Sequence, residues 1–267
     1  MPTTALEPRR RTVLLLWDID HTLVEMRGIG KELFRRAFAE VTGVRMEQQA
    51  AVDGMTDLVI FRETAALHGI TTSPPDEQRF AAALTRAHQD AVPEIQARGR
   101  ALPGAHAALT ALHAHGFQQT VVTGNIRGSA RVKLAAFGLD QHIQWDIGAY
   151  GDDAPTRPEL VATALTRAHT HQPHDVTLIG DTPADIQGAT AHGIPTIAIA
   201  TGRTTTQDLT TAGAHHTLPN LDNTALLLTL LTHHPATTNQ TTHKAHRHHN
   251  HPRVCEEETT GEQSGQE

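Results

Sequence analysis

From Arg11 onward, short runs of Val, Ile and Leu alternate with longer stretches of helical composition. That pattern predicts an α/β fold: a Rossmann-like parallel sheet with helices on both faces. The predicted strands are residues 12–17, 118–122, 175–179 and 195–200. Each ends in a turn signal, "DID", "TGN", "GDTP" and "TGR" respectively. In an open α/β sheet the ligand crevice lies beyond the carboxyl ends of the strands, so these four turns are expected to converge on one site.

The first two predicted strands are separated by a long segment with almost no strand pattern. In "GKELFRRAFAEVTG", Leu33, Phe34, Ala37, Phe38 and Val41 fall on one face of an amphipathic helix. Two further segments, "TDLVIFRETAALHGI" and "DEQRFAAALTRAHQDAVPEIQARG", are also helical in composition. So long a connection exceeds any single βα turn, and residues 24–100 are read as an inserted helical domain. The α/β core is then residues 11–23 and 101–233. Residues 234–267 contain almost no large apolar side chains, which predicts a disordered tail. The histidines of that tail are irregularly spaced, and no specific metal site is expected from them.

Composition narrows the partners. The 267 residues carry 22 Lys+Arg against 29 Asp+Glu, a formal net charge of -7, and aromatic residues make up 3%. A chain so balanced offers no basic surface for nucleic acid or an anionic membrane, so a small-molecule partner is expected. The one cysteine, Cys255, permits no disulfide framework or cysteine metal cluster within the chain. The apolar run after the basic N-terminus is too short for a signal peptide or a membrane span, and a cytoplasmic location is the expectation.

The chemistry is concentrated in the turns. Asp18 and Asp20 lie at i and i+2 as the first strand ends, so both carboxylates can face one pocket. Two carboxylates so close repel unless a cation or a shared proton intervenes. The third turn adds Asp181 and Asp185; Asp185 also reads as the N3 acid of a capping box opened by Thr182, with Pro183 at N1. Acids gathered at strand ends form a hard-oxygen set suited to Mg²⁺. The second turn offers Thr123, Gly124 and Asn125 at the start of a helix. These could cradle phosphate oxygens, or Asn125 could simply cap the helix. Arg157 follows a capping-box Thr156 with Glu159, where the helix dipole disfavours a cation by ~0.3–1 kcal/mol. A phosphoryl group together with the aspartates would hold it there.

Asp18-Ile19-Asp20-His21-Thr22-Leu23, then Thr123-Gly124-Asn125, then Gly180-Asp181-Thr182-Pro183-Ala184-Asp185, in this order and with the insert after the first strand, resemble the haloacid dehalogenase-like hydrolases. The nearest pattern is that of their phosphoglycolate phosphatase-like members with a helical cap, over roughly residues 12–232. The resemblance implies an Mg²⁺-dependent phosphatase acting on a small phosphate monoester such as phosphoglycolate or a sugar phosphate. Asp18 would be the nucleophile and Asp20 the acid and base. Mg²⁺ would be held by Asp18, the Asp20 carbonyl and Asp181, with Asp185 orienting a water on the ion. Thr123 would bind phosphoryl oxygens. Two departures stand out. His21 replaces the usual Gly, which is tolerable at negative φ. Arg157 stands in for the usual third-motif Lys and is preferred to Lys133, which falls mid-helix. In the insert, Thr56 and Arg62 in "VDGMTDLVIFRET", and Arg27 after the first motif, are candidate substrate contacts. Thr56 also reads as an ordinary helix N-cap, and the two arginines as solvated. A phosphomutase and a non-catalytic phosphate- or Mg²⁺-binding module are the alternative readings.

Overall fold

A computed structural model describes residues 13–169 and 175–232. The predicted tail, its histidines and Cys255 lie outside the described residues. The first strand, β1 (Leu14–Trp17), is four buried apolar residues. The others are β4 (Gln118–Val121), β5 (Val176–Gly180), β6 (Thr196–Ile199) and β7 (His216–Leu218). They form one sheet in the order β4-β1-β5-β6-β7, every pair parallel. The four predicted strands are present within two residues at each end; β7 is an additional edge strand.

The period-two alternation of β1 divides the core. Leu15 and Trp17 enter one apolar cluster with Ala108, Leu112, Ala130, Leu134 and Leu227. Leu14 and Leu16 enter another with Leu160, Val161, Ala164 and Ala189. The sheet is thus covered on one side by α5 (Ala105–Ala114), α6 (Arg127–Ala136) and α10 (Thr224–Thr232). On the other side lie α7 (Arg157–Arg167) and α8 (Pro183–Thr190). A short α9 (Thr206–Thr211) precedes β7. A sheet buried on both faces explains why its strands read as continuous apolar runs.

The segment between β1 and β4 folds as α1 (Ile29–Thr42), α2 (Asp57–Leu67), α3 (Pro74–Asp90) and α4 (Val92–Arg98). These helices enclose their own cluster, which includes Leu33, Phe38, Phe61, Phe80 and Ile95. Its centre is aromatic: Phe61 and Phe80 stack with centroids 4.2 Å apart, and Phe34 meets Phe80 edge-on at 4.9 Å. The predicted helix face of Leu33, Phe34, Ala37 and Phe38 is buried there, and Val41 packs at its margin. The chain leaves and re-enters the core through two short antiparallel strands, β2 (Val24–Glu25) and β3 (Arg100–Ala101), and Arg100 pairs with Glu25 at 2.7 Å.

Candidate functional site

Three of the four predicted acids meet beyond the strand ends. Asp18, immediately after β1, Asp181, immediately after β5, and Asp185, in the first turn of α8, can each offer an oxygen within 4.8 Å of the others. All three are buried. The predicted capping box is formed: Thr182 N and Oγ1 both donate to Asp185 Oδ2, at 3.1 and 2.7 Å. That leaves Asp185 Oδ1 buried without a hydrogen-bond partner. Gly180 is required here, because a Cβ on it would overlap the Asp185 carboxyl group.

The electrostatics show how crowded this flank is. Burial, followed by the charge of Asp185, pushes Asp18 up to about 8; burial, followed by Asp18 and Asp185, pushes Asp181 up to about 9. Arg157 is the cation on this flank. Its Nη1 lies 3.3 Å from Asp18 Oδ1 and donates to Val122 O at 2.9 Å, and its Nε lies 3.2 Å from Asp185 Oδ1. One guanidinium cannot neutralise three ionised carboxyl groups, so without another cation the cluster retains protons on Asp18 and Asp181. Three buried hard-oxygen donors, one of them with an oxygen that meets Arg157 as an ion pair but makes no hydrogen bond, fit a divalent cation.

Asp20 stands on the other flank and faces different partners. Lys133 Nζ donates to both of its oxygens, at 2.9 and 2.8 Å, and to Asn125 Oδ1 at 2.5 Å. Asn125 Nδ2 donates to Asp20 Oδ2 at 2.7 Å and to Thr123 Oγ1 at 2.8 Å. Burial alone would raise the Asp20 pKa, but the charge and hydrogen bonds of Lys133 outweigh it and hold the carboxyl below its ordinary value.

This arrangement corrects two expectations. Lys133, set aside because it sits mid-helix, reaches into the site while Arg157 occupies the opposite flank; both cations are therefore present. Asn125 is not a helix cap. The N-cap of α6 is Ile126, and the first N-H groups there are taken by Asp57 Oδ2 on Ile126, at 3.0 Å, and Asp152 Oδ1 on Arg127, at 2.9 Å. The Asn125 N-H is spent on Thr123 Oγ1 at 3.2 Å. Two of the N-H groups at the start of α6 are thus already taken by side chains. Thr123 accepts from both Asn125 groups, so its own O-H is available to donate to a ligand.

The expectation for His21 is also corrected. Its φ is +61°, in the left-handed region where glycine is favoured.

The insert meets the core at this site. Asp57 N donates to Gly124 O at 2.8 Å, and a Cβ on Gly124 would overlap the Met55 carbonyl. Burial lifts the Asp57 carboxyl to about 6, against the charge of Lys133. Thr56 is the N-cap of α2, accepting from Val59 N at 3.4 Å, and is buried. The candidate arginines are engaged elsewhere: Arg62 pairs with Glu77 at 3.2 Å within the insert, and Arg27 with Glu25 at 3.5 Å. Neither is joined to the acidic residues by any hydrogen bond among the described residues. A further polar group adjoins α6. His88 on α3 is buried, bonded to Leu84 O and Ser129 Oγ through Nδ1, and burial, followed by the charge of Lys133, lowers it to about 4.

Comparison with known proteins places this site in context. The tyrosine-protein kinase PtkA of Mycobacterium tuberculosis is 27% identical over 208 residues, 74% of this chain and 65% of that protein, so the chain spans about two thirds of its length. The phosphoglycolate phosphatase of Rhodospirillum rubrum is 27% identical over 198 residues, 70% of this chain and 79% of that protein. Among solved structures, a hydrolase from Pseudomonas syringae superposes with a TM-score of 0.60 at 18% identity, covering 82% of this chain and 99% of that one. No helix among the described residues is long and apolar enough to cross a membrane. The family description "Haloacid dehalogenase-like hydrolase" matches residues 15–199, and with that span, which holds both flanks of the site, the chain belongs to the haloacid dehalogenase-like hydrolases.

Proposed function

We propose that this protein is an Mg²⁺-dependent phosphatase that hydrolyses a small phosphate monoester through an aspartyl phosphate on Asp18. The observation that carries the reading is the buried trio Asp18, Asp181 and Asp185, whose oxygens converge within 4.8 Å beside a single guanidinium. These three, with the Asp20 main-chain carbonyl, would hold the ion. When bound, it would offset their charge and polarise the phosphoryl group.

The chain's own groups account for the two chemical steps. In the first, a carboxylate oxygen of Asp18 attacks phosphorus as the bond to the ester oxygen breaks. Asp20, having taken up a proton from solvent as the phosphate dianion enters beside it, gives that proton to the departing oxygen, and the alcohol leaves. In the second, Asp20 takes a proton from water as the water oxygen attacks phosphorus. Phosphate departs and the Asp18 carboxylate is restored. Thr123 donates to a phosphoryl oxygen, and Arg157 adds positive charge beside Asp18. The helical insert, joined to the core through Asp57 and Gly124, acts as a cap that keeps bulk water from the intermediate, and residues on its site-facing side select the leaving group.

The test is phosphate release from a panel of monoesters, including 2-phosphoglycolate and sugar phosphates, with Mg²⁺ and with EDTA. Release that requires Mg²⁺ and falls by about 10⁴ in Asp18→Asn is the expected result. Release that persists in Asp18→Asn would refute the covalent route, and isomerised sugar phosphate without released phosphate would identify a mutase.

A further inference from the structure

Lysine can only donate hydrogen bonds, and this fixes more than one neighbour. Because Lys133 Nζ lies 2.5 Å from one atom of the Asn125 amide, that atom must be the oxygen. The amide nitrogen is thereby turned toward Asp20 Oδ2, at 2.7 Å, and Thr123 Oγ1, at 2.8 Å. Thr123, now an acceptor on two sides, keeps its hydrogen for a third partner. Meanwhile Lys133 grips both oxygens of Asp20. Its side chain is 7% exposed while that of Asp20 is 36% exposed, so the lysine stands behind the aspartate and not in the opening.

We propose that Lys133 is a positioning residue: through Asp20 and Asn125 it sets the direction of the acid and base carboxylate and the donor sense of the Thr123 hydroxyl. This rests on the phosphatase reading and assigns it a component that the sequence motifs do not include. Without Lys133 the Asp20 carboxylate loses the partner of both its oxygens and is free to rotate away from Asn125, which releases the amide that sets the Thr123 hydroxyl.

A positioning role acting through Asp20 matters most where the leaving oxygen needs a proton. The measurement is kcat/KM, which reports the first phosphoryl transfer, for 2-phosphoglycolate and for p-nitrophenyl phosphate, with Lys133→Met and with wild type. The methionine keeps the length of the side chain and removes every donor. The expected result is a loss on 2-phosphoglycolate, an alkyl ester, at least about 10-fold greater than the loss on p-nitrophenyl phosphate, whose leaving group departs without a proton; the smaller loss common to both esters reads the Thr123 hydroxyl. Equal losses on both esters would overturn the proposal, because a merely structural lesion does not distinguish leaving groups.

Asn125→Asp provides the same reading with Lys133 intact. It keeps the acceptor for the lysine and removes the donor toward Asp20 and Thr123, so the same selective loss is expected. Equal losses there would count against the proposal too. The double variant Lys133→Met/Asn125→Ala should be no worse than the poorer of Lys133→Met and Asn125→Ala measured alone, and additive losses would overturn the proposal by showing that the two residues act separately. If wild type releases phosphate from neither ester, the phosphatase reading itself fails, a result distinct from any of these.

Discussion

Asp18 and Asp20 are two residues apart, yet the flanks they face are built on opposite principles. Around Asp18 three buried carboxylates share one guanidinium, and one of their oxygens has no hydrogen-bond partner. Around Asp20 a single carboxylate is met by a lysine and an amide, and both of its oxygens are hydrogen-bonded by those neighbours. The first flank is incomplete without an added cation; the second is complete as it stands. The contrast separates a ligand-receiving half of the site from a half that is pre-set by the fold.

Substitutions on the two flanks should therefore move stability in opposite directions. Measured in EDTA at pH 9, where the cluster begins to ionise, Asp181→Asn should stabilise the protein by about 1–2 kcal/mol, since it removes one member of a repelling buried cluster. Lys133→Met should destabilise it by about 1–2 kcal/mol, since the Asp20 carboxylate loses its counter-charge but stays partly exposed to water. Denaturant titration of the two variants checks both, and shifts of the same sign would break the comparison.

A smaller effect is expected in the turn that joins the flanks. His21 holds a φ of +61°, and His21→Gly should relieve about 1 kcal/mol of backbone strain, less what glycine returns to the unfolded chain. A thermal midpoint unchanged or raised by a few degrees fits that balance. A marked fall would mean that the imidazole itself holds the turn.

How much of this was legible follows from the same contrast. The acids at the strand ends were readable because an apolar run fixes where its strand stops, and Asp18 and Asp181 follow directly. The capping boxes at Thr156 and Thr182 were readable because their bonds lie within one helical turn. Lys133 was undervalued because distance along the chain from a strand end is the wrong measure for a helix. Helical side chains lean toward the N-terminus, so Lys133 points back along α6 toward Asn125. A signal existed: Ser129, Ala130, Lys133 and Leu134 share the buried face of α6, and a lysine within such a face needs a partner. The edge strand β7 has only three residues, two of them partly exposed, and β2 and β3 have two each, too short for any hydrophobic period to register. The engagement of Asp57 and Asp152 with the start of α6 is a long-range contact that no local pattern encodes.

The most direct test of the charge imbalance is the thermal midpoint against pH, from 6.5 to 9, in EDTA and in saturating Mg²⁺. Asp18 and Asp181 titrate in the folded protein at about 8 and about 9, well above their unfolded value of 3.8. The folded state thus holds protons that the unfolded chain has already lost, and metal-free stability must fall as pH rises through this window. Asp57, at about 6, and His88, at about 4 in the folded protein and 6.5 in the unfolded chain, still contribute near pH 6.5, His88 with the opposite sign, so the fall is read between pH 7.5 and 9. The account predicts a midpoint falling by several degrees in EDTA and level in Mg²⁺, because the cation takes the place of those protons. A midpoint level with pH in EDTA and unmoved by Mg²⁺ would contradict it.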